Sequence, residues 1–154
     1  MKKYAQKLHD YIIQNNLAAE QLLFMESCHS VKAAAEAVGA LPEDLVKNIC
    51  FLDKKDNLIV AIVKGEDRVD RTRVGKVLNI PSPRIATEAE ILEKSGYPCG
   101  GVPSFGFSAT FIIDPKVMEK ELVYTGGGSS QALVKIKASD LLQANKGLVE
   151  RIRQ

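Results

Sequence analysis

The chain has 154 residues, 45% hydrophobic and 26% charged, with 21 basic against 19 acidic side chains and a formal net charge of +2. That length suits one domain spanning 1–154, since domains usually run to about 100–200 residues, and it can bury roughly 68–70% of its unfolded surface without disulfide staples. The near balance of charge excludes a strongly basic nucleic-acid-binding domain, which would sit above about pI 9, so DNA is not expected as a partner and RNA contact must come from local patches. The three cysteines, Cys28, Cys50 and Cys99, form no close-spaced pair and point to reduced thiols. Met1-Lys2-Lys3-Tyr4 runs into the mixed stretch Ala5–Asp10 with no uninterrupted apolar export segment, and no span approaches the roughly 20 apolar residues that cross a bilayer. A soluble, cytoplasmic protein without a membrane partner is expected.

In chain order, Leu8, Tyr11 and Ile12 fall at helical spacing within Tyr4–Asn16, which predicts an amphipathic helix ended by Asn15-Asn16. Leu22–Met25 is a short apolar run that reads as a strand. Ser30 is placed to cap a helix over Val31–Val38, with Gly39 fitting the left-handed residue beyond its end. Pro42 suits the first turn of a third, short helix at Glu43–Val46. Asn48–Leu52 and Leu58–Lys64 read as two well-buried strands of a hairpin turning through Asp53–Asn57. Helix returns over Asp70–Leu78, and Thr87-Glu88-Ala89-Glu90 has the spacing of a capping box opening a helix that stops near Gly96. Gly96–Gly106 holds four glycines and two prolines and is a shaped loop. Thr110–Ile113, Glu121–Thr125 and Ala132–Lys137 read as strands, Gly126-Gly127-Gly128 as a break, and Ser139 onward as a last helix. Irregular strand–helix alternation predicts an α+β fold with a mixed sheet.

Composition argues against several chemistries. His9, His29 and the cysteines lack paired zinc-ligand spacing, so no metal or other cofactor is expected. Cys28-His29 reads as a buried thiol and a partly exposed histidine before a helix. No Gly-x-Ser-x-Gly elbow is present for a serine hydrolase. Lys47 stands out because strand alternation aligns it with Ile49 and Phe51. Either its stem covers apolar surface while the ammonium reaches water, or the cation is aimed into a cleft toward phosphate or carbonyl oxygen. Gly100–Gly106 is either a tight turn or a set of backbone N–H donors that a ligand can approach closely, and Gly126–Gly128 carries the same two readings. The stretch Lys64–Lys76 interleaves Lys64, Arg68, Arg71, Arg73 and Lys76 with Glu66, Asp67 and Asp70. This is the pattern of a solvated, ion-paired face or of a track for an RNA backbone; Lys146, Arg151 and Arg153 read more simply as a charged helix end.

Ser30-Val31 with Ala33-Ala34-Ala35, then Val46-Lys47-Asn48, Gly96-Tyr97 with Gly100–Gly106, Ile113-Asp114 and Gly126–Gly128 follow one another in an order that resembles the YbaK-like aminoacyl-tRNA deacylases. These are relatives of the editing domain inserted in bacterial prolyl-tRNA synthetases, and the resemblance covers about Cys28 to Leu142. It implies a mixed, partly barrel-like sheet with surrounding helices, acting free-standing and without metal on the acceptor end of mischarged tRNA. The ester removed would be that of a small amino acid, cysteine or alanine, on tRNA for proline, with prolyl-tRNA synthetase a second candidate partner. Lys47 matches the family lysine and Gly100-Gly101 the pair opening its substrate loop, giving these three the catalytic role. Val102, Ser104, Asp114, Gly126 and Gly127 follow as substrate-binding positions, Asp114 either for the ammonium of the amino acid or, standing before Pro115, as a turn residue. The chain departs from the family in Asn48, where many members have threonine, in Ser104, where many have proline, and in Gly128-Ser129-Ser130, where Lys-Arg often follows the glycines. A non-catalytic module binding an aminoacyl-tRNA end or a nucleotide would use the same residues, and a small-molecule esterase is a third reading.

Overall fold

The structure, a computed structural model, describes residues 2–25 and 30–154. Helix α1 (Lys3–Gln14) buries Ala5, Leu8 and Ile12 as one stripe, the spacing of an amphipathic helix on a core. Strand β1 (Ala19–Leu23) begins before the apolar run that announces it, because its limits are set by pairing with a later strand. Helix α2 (Val31–Val38) is capped by the Ser30 hydroxyl, which accepts from the Ala33 N–H at 3.0 Å, and ends on Gly39 at φ 69°. The expected helix at 43–46 is instead a single 3-10 turn, Pro42–Asp44. Leu45 is extended (φ −89°, ψ 145°), and its carbonyl accepts from the Gly65 N–H at 2.7 Å, so pairing with the chain ahead outcompetes another helical turn.

Strands β2 (Val46–Leu52) and β3 (Leu58–Lys64) form the predicted hairpin, in register from Val46 opposite Lys64 to Leu52 opposite Leu58. Its turn is organised by Asp53, whose carboxylate accepts from the Lys55 and Asn57 N–H groups at 2.8 and 2.9 Å. Then come α3 (Arg71–Leu78), the two-residue β4 (Arg84–Ile85), α4 (Glu88–Ser95) with its Thr87/Glu90 capping box, β5 (Thr110–Ile113) and the short α5 (Pro115–Met118). The chain finishes with β6 (Leu122–Gly126), β7 (Ala132–Lys137), α6 (Ala138–Asn145) and β8 (Leu148–Val149).

The strands make a three-stranded antiparallel sheet, β1-β7-β6, and a five-stranded mixed sheet, β4-β2-β3-β5-β8, in which β3, β5 and β8 are parallel. This is the expected mixed α+β architecture; the sheets do not close into a barrel. Alternation along β2 and β3 sorts their side chains. Val46, Cys50, Leu52, Leu58, Val60 and Ile62 enter the main core with α1, β6 and β7, whereas Phe51, Ile59, Ala61 and Val63 face α3 through Val74. A third cluster joins Ala34 and Ala35 of α2 to Leu45 and Leu133, their small side chains letting the helix lie close to the strands.

Candidate functional site

A cavity of about 240 Å³ opens where α2, β2 and the 96–106 loop meet. Its walls are mostly apolar: Val31 and Ala34 from α2, Ile91 from α4, Leu133 from β7 and Cys50 from β2. β4 pairs with β2 only at Phe51 and Leu52, leaving residues 46–50 to run on along the cavity. Lys47 and Asn48 are thus the lining residues whose side chains carry nitrogen. Lys47 lies opposite Val63 on the face shared with Ile49 and Phe51, as alternation predicts, and is partly buried. Burial holds its pKa below the ordinary 10.5, the positive charge of Arg68 lowers it further, and Asp67 offsets part of this. Burial likewise pushes the Cys50 thiol up to about 12, so it lines the cavity as a small apolar group and not as a thiolate nucleophile.

The opposite wall is the glycine-rich loop. Gly100, at φ 90°, has open space where a Cβ would stand, and Gly100 and Val102 both line the cavity. Their N–H groups have no acceptor among the described residues. Gly101 behaves differently. Its N–H donates to the Pro98 carbonyl at 2.9 Å, its carbonyl accepts from the Gly128 N–H at 2.8 Å, and a Cβ would stand 2.7 Å from Gly128 and Ser129 backbone atoms. A Cβ on Gly126 would collide with the Val102 carbonyl. The two glycine segments are thus docked on one another, and only glycine lets the backbones approach so closely.

Behind this wall lies a polar network. The Asn48 amide donates to the Val102 carbonyl and to the Thr125 hydroxyl, both at 2.9 Å, and accepts from the Ser104 hydroxyl at 2.7 Å; Ser104 and Thr125 share a further 2.7 Å hydrogen bond. Asn145 donates to the Ser104 carbonyl at 2.9 Å. These bonds fix the loop's curvature from inside, and each member is satisfied, as buried polar groups must be.

The model of the aminoacyl-tRNA editing domain matches residues 25–144, most of the chain and all of the cavity's walls. The chain belongs to the aminoacyl-tRNA editing domain family. The uncharacterized protein YwhH of Bacillus subtilis (strain 168) is 23% identical over 120 residues, covering 77% of this chain and 76% of that one. A proline–tRNA ligase of Thermotoga neapolitana is 22% identical over 98 residues, 64% of this chain but 17% of the ligase. Among solved structures, one of a proposed trans-editing enzyme for prolyl tRNA synthetase superposes with a TM-score of 0.92 at 24% identity, covering 100% of this chain and 99% of that one. The hypothetical protein APE2540 superposes with a TM-score of 0.88 at 25% identity over 96% and 99%.

In this editing domain the structure brings Lys47, Gly100, Val102 and Gly126 to one cavity. Gly101 sits immediately behind, its N–H already bonded, and Gly127 closes the β6–β7 turn, donating to the Ala132 carbonyl at 3.1 Å and accepting from Gln21 at 2.9 Å. Ser104 is fully buried in the network. Asp114 is not among the lining residues: its carboxylate accepts from the N–H groups of Lys116, Ile152 and Arg153 and pairs with the Arg153 guanidinium at 2.9 Å. Arg153, expected as part of a charged helix end, is held by that bond. In the basic stretch, Lys64 pairs with Glu66 at 3.3 Å and Arg73 with Asp70 at 3.7 Å. Cys28-His29 lies outside the described residues. The α2 wall, Val31 and Ala34, belongs to the Ser30–Ala35 run that opens the resemblance, whereas Ile91 of α4 and Leu133 of β7 carry no motif and escape sequence reading. Asn48 had one available signal, a polar side chain between Val46 and Cys50 on the inward face of a buried strand. Among the described residues no helix is long and apolar enough to cross a membrane, and no three His, Cys, Asp or Glu side chains gather as they would around a metal ion.

Proposed function

We propose that this editing domain hydrolyses the ester joining a small mischarged amino acid, alanine or cysteine, to the terminal adenosine of tRNA for proline. The observation that carries the reading is that Lys47 lines one small, largely apolar cavity together with Gly100 and Val102, whose N–H groups have no acceptor among the described residues. An aminoacyl ester is already activated, so the protein need only place water and stabilise the oxyanion. Water adds to the carbonyl carbon, the Gly100 and Val102 N–H groups take the developing negative oxygen, and the C–O bond to the ribose then breaks, the ribose oxygen leaving with a proton. Lys47 holds the terminal phosphate or ribose and adds positive potential. The neighbouring ribose hydroxyl orients the water, so the reaction requires no metal. Apolar walls suit a small uncharged side chain, and discrimination per methylene is limited to about 1–3 kcal/mol, so alanine and cysteine are both accepted. Action on charged tRNA places the work in the cytoplasm, with prolyl-tRNA synthetase a natural partner.

The test is deacylation of tRNA for proline charged with alanine, cysteine, serine or proline. Alanyl and cysteinyl esters are expected to be cleaved and prolyl esters spared, and Lys47→Ala should slow cleavage roughly 10- to 150-fold, the loss of one charge-assisted contact worth about 1.5–3 kcal/mol. Cleavage of prolyl-tRNA at an equal rate overturns the editing role. Binding without turnover favours the non-catalytic module instead.

A further inference from the structure

A second recess, of about 470 Å³, lies on the other side of the 96–106 loop, against α1. Lys3, Lys7, Asp10 and Tyr11 of α1 form one wall, and Tyr97 and Gly106 of the loop form the other. Its two lysines are exposed and make no ion pair among the described residues. The Lys7 ammonium stands 4.7 Å from the centroid of the Tyr97 ring and donates to the Gly96 carbonyl at 3.2 Å, which holds it at the recess edge. Asp10, the acid in this wall, accepts from the Gln6 amide at 2.8 Å. Tyr97 is fully buried, and its hydroxyl has no hydrogen-bond partner.

The loop links this recess to the main cavity. Both its ends rest on α1 through left-handed glycines: Gly96, at φ 82°, beside Lys7, and Gly106, at φ 96°, where a Cβ would touch the Tyr11 ring at 3.5 Å. Its middle supplies Cys99, Gly100 and Val102 to the main cavity. Tyr97 and Gly100 are three residues apart and so within about 11 Å of each other. A single RNA strand with its terminal adenosine in the main cavity has its preceding phosphates within that reach. Lysines free of ion pairs are what the phosphates of such a strand bind, and the buried Tyr97 ring serves to hold Lys7 in place rather than to stack a base.

We infer that the α1 recess is a second RNA subsite, taking a backbone phosphate of the single-stranded tRNA 3′ end one or two nucleotides before the terminal adenosine, with Lys3 and Lys7 as its ligands. This rests on the reading of the main cavity as the seat of that adenosine. The experiment measures binding of an uncharged single-stranded RNA oligonucleotide ending in CCA across a salt series, for the parent, for Lys3→Ala/Lys7→Ala, for Lys3→Arg/Lys7→Arg and for Lys54→Ala/Lys55→Ala, which removes equal charge from the exposed β2–β3 turn. The α1 alanine pair is expected to weaken binding roughly tenfold and to flatten the plot of log affinity against log salt by about 1.4, since each contact to a single strand contributes about 0.7. The arginine pair should keep the parental slope. In parallel, deacylation of charged tRNA should lose at least five times more through KM in the α1 alanine pair than hydrolysis of the same amino acid esterified to adenosine alone. An unchanged salt slope, or an equal loss in the Lys54/Lys55 pair, overturns the subsite. A parent that binds the oligonucleotide with the expected slope change but cleaves no ester overturns the hydrolase reading and leaves the subsite standing.

Discussion

Lys47 is held where its charge is least comfortable. A partly buried ammonium beside Arg68 is disfavoured in the folded state, so its pKa falls below 10.5 while the unfolded chain keeps that value. The unfolded state then binds more protons in the window just below 10.5, and stability rises with pH there. The penalty is fully present below the folded pKa and lifts as pH climbs through it. Lys47→Met keeps the apolar stem and removes the charge; it is expected to raise Tm at pH 7, to abolish the alkaline rise, and to lose deacylation. Thermal melts at pH 7 and at pH 10 check this. A variant both less stable and inactive would make Lys47 a packing residue. Lys47→Arg should rescue activity poorly, because a planar fork does not replace a compact ammonium.

The 96–106 loop on one side, and the end of β6 with the β6–β7 turn on the other, shape the site by touching each other. Gly101 and Gly126 are the contact points, and a single methyl at either meets backbone rather than a flexible side chain. Gly101→Ala and Gly126→Ala should each cost about 1–3 kcal/mol, the range for overpacking. Because both press the same interface, the double variant should cost less than the sum, with a coupling of about 0.5–3 kcal/mol. Urea titrations of the four proteins measure it, and strict additivity would mean that the segments do not form one unit. The Asn48–Ser104–Thr125 network stiffens the same wall, so changes at Ser104 are felt as loss of loop geometry more than as loss of a substrate contact.

Across the whole molecule, Asp114 fastens residues 152–153 to the end of β5. That segment in turn fixes the β3–α3 connection, the Asp70 N–H donating to the Ile152 carbonyl at 2.7 Å and the Gln154 N–H to the Arg68 carbonyl at 2.9 Å. The connection so anchored carries Asp67 and Arg68, the charges that act on Lys47. Burial alone would raise the Asp114 pKa, but N–H donors from Lys116, Ile152 and Arg153, with the Arg153 charge, outweigh it and hold the pKa below 3.8. Its stabilisation is present above the unfolded value and lost as pH falls through the lower folded one. Asp114→Asn is therefore expected to cost about 1.5–3 kcal/mol at pH 7, a difference from the parent that narrows below about pH 4. A constant difference from pH 7 to pH 3 would show that the charge is not what holds the segment.

Short-range physics is written along the chain and could be read there. Ser30 with Gly39, and Thr87 with Glu90, mark helix ends because a cap bonds within three residues of itself. Alternation through Val46–Leu52 places Lys47 with Ile49 and Phe51 because a strand has a period of two. The order of lysine, glycine pair and later glycines carries the family resemblance, and with it the mixed α+β fold. Tertiary structure alone decides the two-residue strands β4 and β8, which exist by virtue of their partners, and the extended Leu45 that ends the turn at Asp44. It also decides that Gly100 and Val102 line the cavity while Gly101 packs against Gly128 and Ser129. Ser104 and Asp114 are polar residues in a recognisable order, but burial and partners that include residues 21 to 56 positions away turn one into a strut and the other into an anchor. A cavity is a property of surfaces distant in sequence, and no local pattern encodes the space between them.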